Sequence, residues 1–461
     1  LAAVLAGVGV AWVLPNHPFL ATGAVLGGVV LLALVLRPLE LLGVMLAVGA
    51  VNLAWVTGGQ RELLSGMGGL DMNGIRLMGF VAGFAGLLLI DRRMQAQAFG
   101  RYGRVYLLFL AYAAGTLAFS PEPLDGTRLL FKLAFPFLVF IGVAALVRSL
   151  DDLDRLGRWT LVAATVFVLL INPLLVLAGG YTVDNSGHLR IQGLGMHQNP
   201  FSQYLLAMAF LALARYTFRG QLRYLALAVV LAGWIVLTMS RIMLAGSLVG
   251  LAAMAVYGSV LRRNLRPVVA ATVMGLAVAI PLTPLVLDRT LGFVPGVGEM
   301  WVLLSDPATL VRSMSWSGRD QIWPVLVSAF LDSPVVGLGA GASGPVLRSS
   351  FSSAMTDVPH NEYLRILVDT GVVGLILVMA GVAVWWVASA RAGIRARGAL
   401  TREYALAAVA IIPAGAVVAF TGNSIDYYSQ FTQFIAFFCA AAITAAALEP
   451  GEVQAAEGRE E

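Results

Sequence analysis

The sequence predicts an all-α, polytopic integral membrane helical bundle of about 14 (12–14) transmembrane helices, with one long external loop containing short helices. Three observations predict it. Hydrophobic residues fill 59% of 461 positions and charged ones only 12%, whereas a soluble domain carries about 25% charged residues. The apolar residues fall into runs separated by short polar breaks, with a mean hydropathy of +0.85. Basic clusters occupy every second break. The bilayer, where backbone polar groups must be satisfied within helices, is therefore the solvent of this chain.

Taken in order, the runs cover approximately 1–14, 19–36, 39–57, 75–90, 105–119, 131–147, 159–178, 200–217, 222–239, 241–258, 267–288, 361–388, 404–421 and 428–447. Several are shorter than the ~20 residues of a typical span. The first, which opens at Leu1 without a basic leader, reads as a membrane helix and not as a signal peptide. With the N-terminus in the cytoplasm, the alternate loops carry Arg92, Arg93, Arg101 and Arg104, then Arg148, Arg155 and Arg158, then Arg215, Arg219 and Arg223. Arg262, Arg263 and Arg266 follow, and then Arg391, Arg395, Arg397 and Arg402. With Arg37 and Arg459, 19 of the 30 Lys and Arg lie inside, as the positive-inside bias requires.

One stretch needs its own argument. From Leu222 to Leu261 the chain is apolar for about 40 residues, ~60 Å as helix and twice the ~30 Å hydrocarbon thickness. Basic clusters at both ends demand a turn midway, and Thr238-Met239-Ser240-Arg241 supplies the polar groups for it. Arg241 thereby reaches the outer interface. The resulting organisation is an N-terminal transmembrane bundle over 1–288 (about 11 helices), a long outer loop over 289–360, three C-terminal transmembrane helices over 361–448, and a disordered acidic cytoplasmic tail over 449–461.

The chemistry-bearing residues are few. Cys439 is the single cysteine, which excludes a disulfide framework and a cysteine metal site. No cluster of His, Cys and carboxylates suggests zinc, and the first outer loop offers only Pro15, Asn16, His17 and Pro18. His360 opens the apolar run after the long loop. On a helical wheel His360, Leu364, Leu367, Gly371 and Gly374 fall within about 80° of one another, which predicts a seam whose glycines admit a neighbouring helix. His360 is there either an interfacial histidine or a base. Glu362, Arg365 and Asp369, at i+3 and i+4 spacing on the other face, read as structural.

Arg241 is either an interfacial anchor or an anion ligand, and its place against the positive-inside bias favours the ligand. Arg319 follows Ser317-Gly318, where Ser317 is placed to cap a short helix running to about Leu331 and ended by Asp332-Ser333-Pro334. The N-terminus of such a helix favours an anion; an ion pair with Asp320 or a solvated loop position is the alternative. The run Gly337-Leu338-Gly339-Ala340-Gly341 lacks the strand and lysine of a nucleotide loop. Arg190, Gln203 and His197-Gln198-Asn199-Pro200 either hold sugar hydroxyls or mark a helix entry at Pro200. Arg289 and Asn361 complete the candidate substrate-binding set, while His17 and His188 read as surface residues.

From Ser240-Arg241 to Gly374, about 135 residues resemble the O-antigen ligase and polymerase superfamily of bacterial envelopes. The resemblance is carried by Ser317-Gly318-Arg319-Asp320 with Trp323, by Asp332-Ser333-Pro334 followed by Gly337 and Gly339, and by His360-Asn361 with Gly371 and Gly374 at fixed spacing. Three helices after the long loop also fit, whereas fourteen segments exceed the twelve usual for the ligases. The resemblance implies transfer of a glycan from undecaprenyl diphosphate to an acceptor hydroxyl, on the periplasmic face of the bacterial inner membrane, without metal, nucleotide or other cofactor. It makes His360 the base and gives Arg241 and Arg319 the diphosphate. The acceptor is lipid A-core for a ligase, or a second lipid-linked glycan for a polymerase. The electrostatics agree: a diphosphate leaving group needs cations, and guanidinium groups bind phosphate oxygens in bidentate fashion. Partners beyond donor and acceptor are membrane lipids, with no nucleic acid. A flippase or transporter is the reading of a different class, and the internal repeat that transporters of this size often show is not visible in the sequence.

Overall fold

The computed structural model describes residues 28–49, 72–179, 181–183, 189–191, 193, 198–264, 271–272, 275, 299, 301–302, 305–306, 309, 318–351 and 358–457. After helical residues 28–36, helix α1 spans Pro38–Val48 and α2 Met72–Ile90. Then come α3 (Arg92–Phe99), α4 (Arg104–Gly115), α5 (Pro123–Leu146), α6 (Leu150–Val166) and α7 (Asn172–Leu177). A short hairpin, β1 (Tyr181–Val183) and β2 (Leu189–Ile191), leads to α8 (Gln198–Arg219), α9 (Leu222–Leu237) and α10 (Arg241–Arg262). The long loop contributes α11 (Arg319–Asp332) and α12 (Ser343–Ser350), and α13 (Glu362–Arg395), α14 (Ala399–Thr421) and α15 (Gln433–Glu457) complete the chain.

Six helical segments among the described residues are long and apolar enough to cross a membrane: Pro123–Leu146, Leu150–Leu177, Arg241–Arg262, Glu362–Arg395, Ala399–Thr421 and Tyr428–Pro450. A seventh results if α3 and the segment Arg104–Phe119, bent by 86° from each other, form one span. The expected count of fourteen goes beyond this: segments 1–14 and most of 267–288 lie outside the described residues, and helices such as α9 are too short to qualify. Around the bundle, Leu89, Leu169, Leu170, Leu177, Val256 and Ile376 are exposed, as lipid-facing residues are. The chain is a helical membrane protein.

The expected helical architecture is present, and beside the helices one short hairpin pairs Tyr181–Val183 antiparallel with Leu189–Ile191, Thr182 opposite Arg190. One buried core runs from Leu34 to Ala445, with α10 packed on α14 and α5 on α15. The tail from 449 is helical through Glu457. Its start is anchored, since Glu449 accepts hydrogen bonds from Arg397 N, at 3.0 Å, and from the Thr401 hydroxyl.

Packing explains which segments sit at the centre. Helix α8 is buried on every side from Pro200 to Arg215, the expected state of a helix apolar all round. Trp385 of α13 stacks between Tyr106 of α4 at 4.8 Å and Phe140 of α5 at 4.4 Å, and its indole N–H donates to Tyr102 O at 2.9 Å. Such aromatic contacts add about 0.5–1.5 kcal/mol each beyond their buried area. Cys439 is fully buried in α15. At one end of the bundle Arg219 bridges Asp154 (2.6 Å) and Glu403 (2.7 Å), while the fully buried Arg215 lies 3.1 Å from Asp154, tying α6, α8 and α14 together. The basic clusters expected on one side do gather there: Arg93 with Arg148 around one cavity, and Arg101 with Arg391 and Arg395 around another. His360 lies at the opposite end.

Candidate active site

The expected turn at 238–241 is present: α9 stops at Leu237, Met239 takes a left-handed backbone (φ 54°), and α10 starts at Arg241. Ser240 holds the N-cap position of α10 without capping it, because its hydroxyl donates to Asn199 Oδ1 at 3.0 Å. Helix α11 also begins without a side-chain cap; its N-cap is Gly318 at φ 81°, not the expected Ser317, which lies outside the described residues. Both candidate arginines are thus the first residue of a helix whose N-terminal N–H groups have no side-chain cap. A helix N-terminus carries about half a positive charge, which each guanidinium augments.

Arg319 is held at the end of α14, and the register of α10 directs the start of that helix toward the same end. Arg319 Nη2 donates to Thr421 O at 3.0 Å, and Trp323, one turn on, packs edge-to-face on Phe420 at 5.6 Å. Burial lowers the Arg319 pKa from its ordinary value. Arg241 reaches the same level through helix register. A Cβ at Gly250 would lie 3.1 Å from Ala410 O and one at Gly246 3.2 Å from Ala414 O, so α10 runs antiparallel along α14 with glycines at the contact. Continuing that register brings Arg241 beside Ala419–Thr421.

His360 does not lie on the helix. It precedes the N-cap Asn361 with a left-handed backbone (φ 52°), so the helical wheel drawn through it does not apply. A non-glycine residue in this conformation costs about 1–3 kcal/mol and is found preferentially at functional sites. Asn361, a candidate for substrate, is buried and caps α13 by accepting from Leu364 N at 3.1 Å. The His360 ring is held by a residue the sequence argument missed: Asn423 Nδ2 lies 2.9 Å from His360 Nδ1. Asn423 stands two residues beyond Thr421, so one short connection carries the partners of both His360 and Arg319.

That connection, Gly422–Tyr427, rests on charges drawn from distant helices. Asp426 accepts from Lys132 of α5 at 2.6 Å and from Arg365 of α13 at 2.7 Å. Arg365 also pairs with Glu362 at 3.2 Å, and Glu362 accepts from Ile425 N at 2.8 Å. Burial opposes ionisation of Asp426, but Arg365 and Lys132 outweigh it and hold its carboxyl well below the usual carboxylate range. Burial and the Asp426 charge push the Tyr427 phenol up to about 12, so it stays protonated. Glu362 and Arg365 thus serve as scaffold, in line with their reading as structural; Lys132, Asn423 and Asp426 were not anticipated.

The expectation that Gly371 admits a neighbouring helix is corrected as well. Gly371 has a non-helical backbone (φ 64°, ψ −170°) that breaks α13, and what approaches it is loop backbone, not a helix. Val372 N donates to Pro334 O at 2.9 Å and Leu338 N to Val368 O at 2.8 Å; a Cβ at Gly371 would stand 2.2 Å from Val335 O, and one at Gly337 2.5 Å from Thr370 N. Asp369 accepts from Ser343 N at 2.7 Å and Thr116 Oγ1 from Ala340 N at 3.1 Å. The glycine-rich run is a clasp that fixes α11, and so Arg319, to α13.

The remaining candidates divide. Asn199 touches the Arg241 turn through Ser240, and Arg190 stands on β2, which packs against α9. His197 and Arg289 lie outside the described residues. Among the described residues no group of three or more His, Cys, Asp or Glu is arranged to hold a metal ion.

Residues 225–379 match the family described as O-antigen ligase. The matched segment runs from α9 into the middle of α13 and contains Arg241, Arg319 and His360; Asn423 and its scaffold lie outside it. No curated protein matches the chain.

Proposed function

We propose, from the O-antigen ligase match over 225–379, that this chain is a membrane glycosyltransferase that moves a glycan from undecaprenyl diphosphate to an acceptor hydroxyl on the periplasmic face of the bacterial inner membrane. The observation that carries the reading is that Thr421 and Asn423, two residues apart, hold Arg319 and His360, while the register of α10 on α14 directs the helix N-terminus begun by Arg241 toward the same end. His360 takes the acceptor hydroxyl proton, the oxygen attacks the anomeric carbon, and the bond from that carbon to the diphosphate oxygen breaks. Attack from the face opposite the leaving group inverts the anomeric centre. Arg241 and Arg319, with the N-termini they occupy, take up the negative charge that develops on undecaprenyl diphosphate. Asn199, bonded to Ser240 of that turn, and Arg190, on the strand packed against α9, take glycan hydroxyls in this reading, as do His197 and Arg289.

The proton acceptor must be His360 Nε2, which requires Nδ1 to carry a proton and give it to an acceptor. Among the described residues Asn423 Oδ1, which belongs to the same amide, has no hydrogen-bond partner. With that oxygen turned to Nδ1–H, both the orphan oxygen and the required tautomer are satisfied.

The acceptor assigned here is lipid A-core; a second lipid-linked glycan, as for a polymerase, is the alternative. Reconstitution with lipid-linked glycan separates them. A ligase modifies added lipid A-core, and a polymerase makes a ladder from donor alone. Should neither product form while labelled lipid-linked glycan crosses the bilayer, the chain is a transporter and the proposal is wrong.

A further inference from the structure

The end of the bundle opposite His360 holds a cavity of about 790 Å³ that glycan transfer does not use. Ligand pockets span roughly 300–1,000 Å³. One wall is a face of α13 on which Val384, Ala388, Arg391, Ala392 and Arg395 recur at helical spacing. Helix α15 lines it with Ile443, Ala446 and Ala447, and the small side chains of these alanines and of Ala388 and Ala392 leave the space open. The bend between α3 and α4 closes the third side with Arg101 and Tyr102, fixed by the Trp385 bond to Tyr102 O.

The rim is cationic and the floor apolar. Among the described residues, neither Arg391 nor Arg395 has an ion pair or side-chain hydrogen bond, and both are exposed; Arg101 stacks on Tyr102 at 4.4 Å. Four other arginines of this end differ: Arg215 and Arg219 are paired with carboxylates, and Arg262 and Arg402 bond backbone carbonyls. Three guanidiniums above an apolar floor, at the end of membrane-spanning helices, match a molecule with an anionic head and hydrocarbon tails. Basic pockets between transmembrane helices hold phospholipid head groups in this way.

We propose that this cavity binds an anionic phospholipid, with the phosphate between Arg101, Arg391 and Arg395 and the acyl chains along the alanine-lined floor. The site is independent of the glycan-transfer reading. Binding of phosphatidylglycerol and phosphatidylcholine to the detergent-purified full-length protein, followed by native mass spectrometry, tests it. The wild type is expected to prefer phosphatidylglycerol. R391Q/R395Q should weaken that lipid about 10- to 30-fold, whereas R263Q, an exposed arginine at the C-terminal end of α10, should leave it unchanged. Equal binding of both lipids, or undiminished binding in the double variant, overturns the proposal. Competition by inorganic phosphate alone also overturns it, because a soluble anion needs no apolar floor. A measurement on the wild type guards against a misfolded variant: raising salt from about 0.05 to about 0.5 M should weaken phosphatidylglycerol and not phosphatidylcholine, and salt-independent binding refutes the cationic rim.

Discussion

At the residue scale, the imidazole and its amide partner separate chemistry from scaffolding. His360→Ala is expected to lower transfer by about 10²–10⁴-fold while donor binding persists, and unchanged turnover in the reconstituted assay would remove its role as base. Arg241→Ala and Arg319→Ala should each cost about 10²–10³-fold, with weakened binding of the donor diphosphate. Asn423 is a positioning residue, so its test must read more than rate. Asn423→Asp puts a carboxylate against His360 Nδ1, which stabilises the imidazolium and moves the acid limb of the pH–rate profile to higher pH. A merely structural Asn423 would leave that limb where it is.

Residues also set what the sequence could reveal. His360, Arg241 and Arg319 stood out because each is a polar group at the edge of an apolar run, where the exceptions to burial are conspicuous. Asn361 drew attention for the same reason, yet proved to be a helix cap. Asn423 carries no charge and lies 63 residues from His360, so nothing local joined them. A usable signal was present in Thr421-Gly422-Asn423-Ser424-Ile425-Asp426, a polar break between the last two apolar runs at the His360 end. Lys132 could not have been paired with Asp426, 294 residues away, without the fold.

At the scale of elements, the break at Gly371 does what the fixed spacing after His360 hinted at without explaining. It ends the outer part of α13 so that the Pro334–Gly339 backbone can hydrogen bond to it directly. Gly371→Val must drive a side chain into Val335 O at a backbone conformation that branched residues avoid. We expect a loss of several kcal/mol of local stability and a transfer rate as low as that of Arg319→Ala, because α11 loses its anchor. Proteolysis of the loop and activity, measured together, check this; wild-type protection in Gly371→Val would contradict the clasp. The helix count was the least legible feature. Apolar runs marked where helices lie, but a composition-based reading could not tell a span from a short or bent helix such as α9 or the α3–α4 pair.

At the scale of the whole molecule, two charge networks hold opposite ends of one core. Asp426 joins α5, α13 and the Gly422–Tyr427 connection, and its folded pKa lies below its unfolded value. Such a group contributes its full stabilisation above the ordinary carboxylate range, and the contribution is lost as pH falls through that range toward the folded pKa. The Tm of the wild type should therefore drop between about pH 5 and pH 3 more steeply than that of Asp426→Asn, and parallel curves would refute the linkage. At the other end, Glu403→Ala leaves the buried Arg215 short of a partner and should cost about 3–5 kcal/mol, read as a lowered Tm with the His360 site chemically intact.

The burial of Cys439 has a practical consequence. The sole thiol of the chain lies at 0% exposure within α15, where a bulky maleimide cannot reach it. The native sequence is therefore already silent toward such reagents, and no cysteine-free background has to be engineered before sidedness is mapped. A thiol introduced at the exposed Ser349 should label from the exterior of intact spheroplasts, and one at the exposed Arg397 only after permeabilisation. The opposite pattern would turn the molecule over in its bilayer and put the imidazole on the wrong side for a periplasmic acceptor.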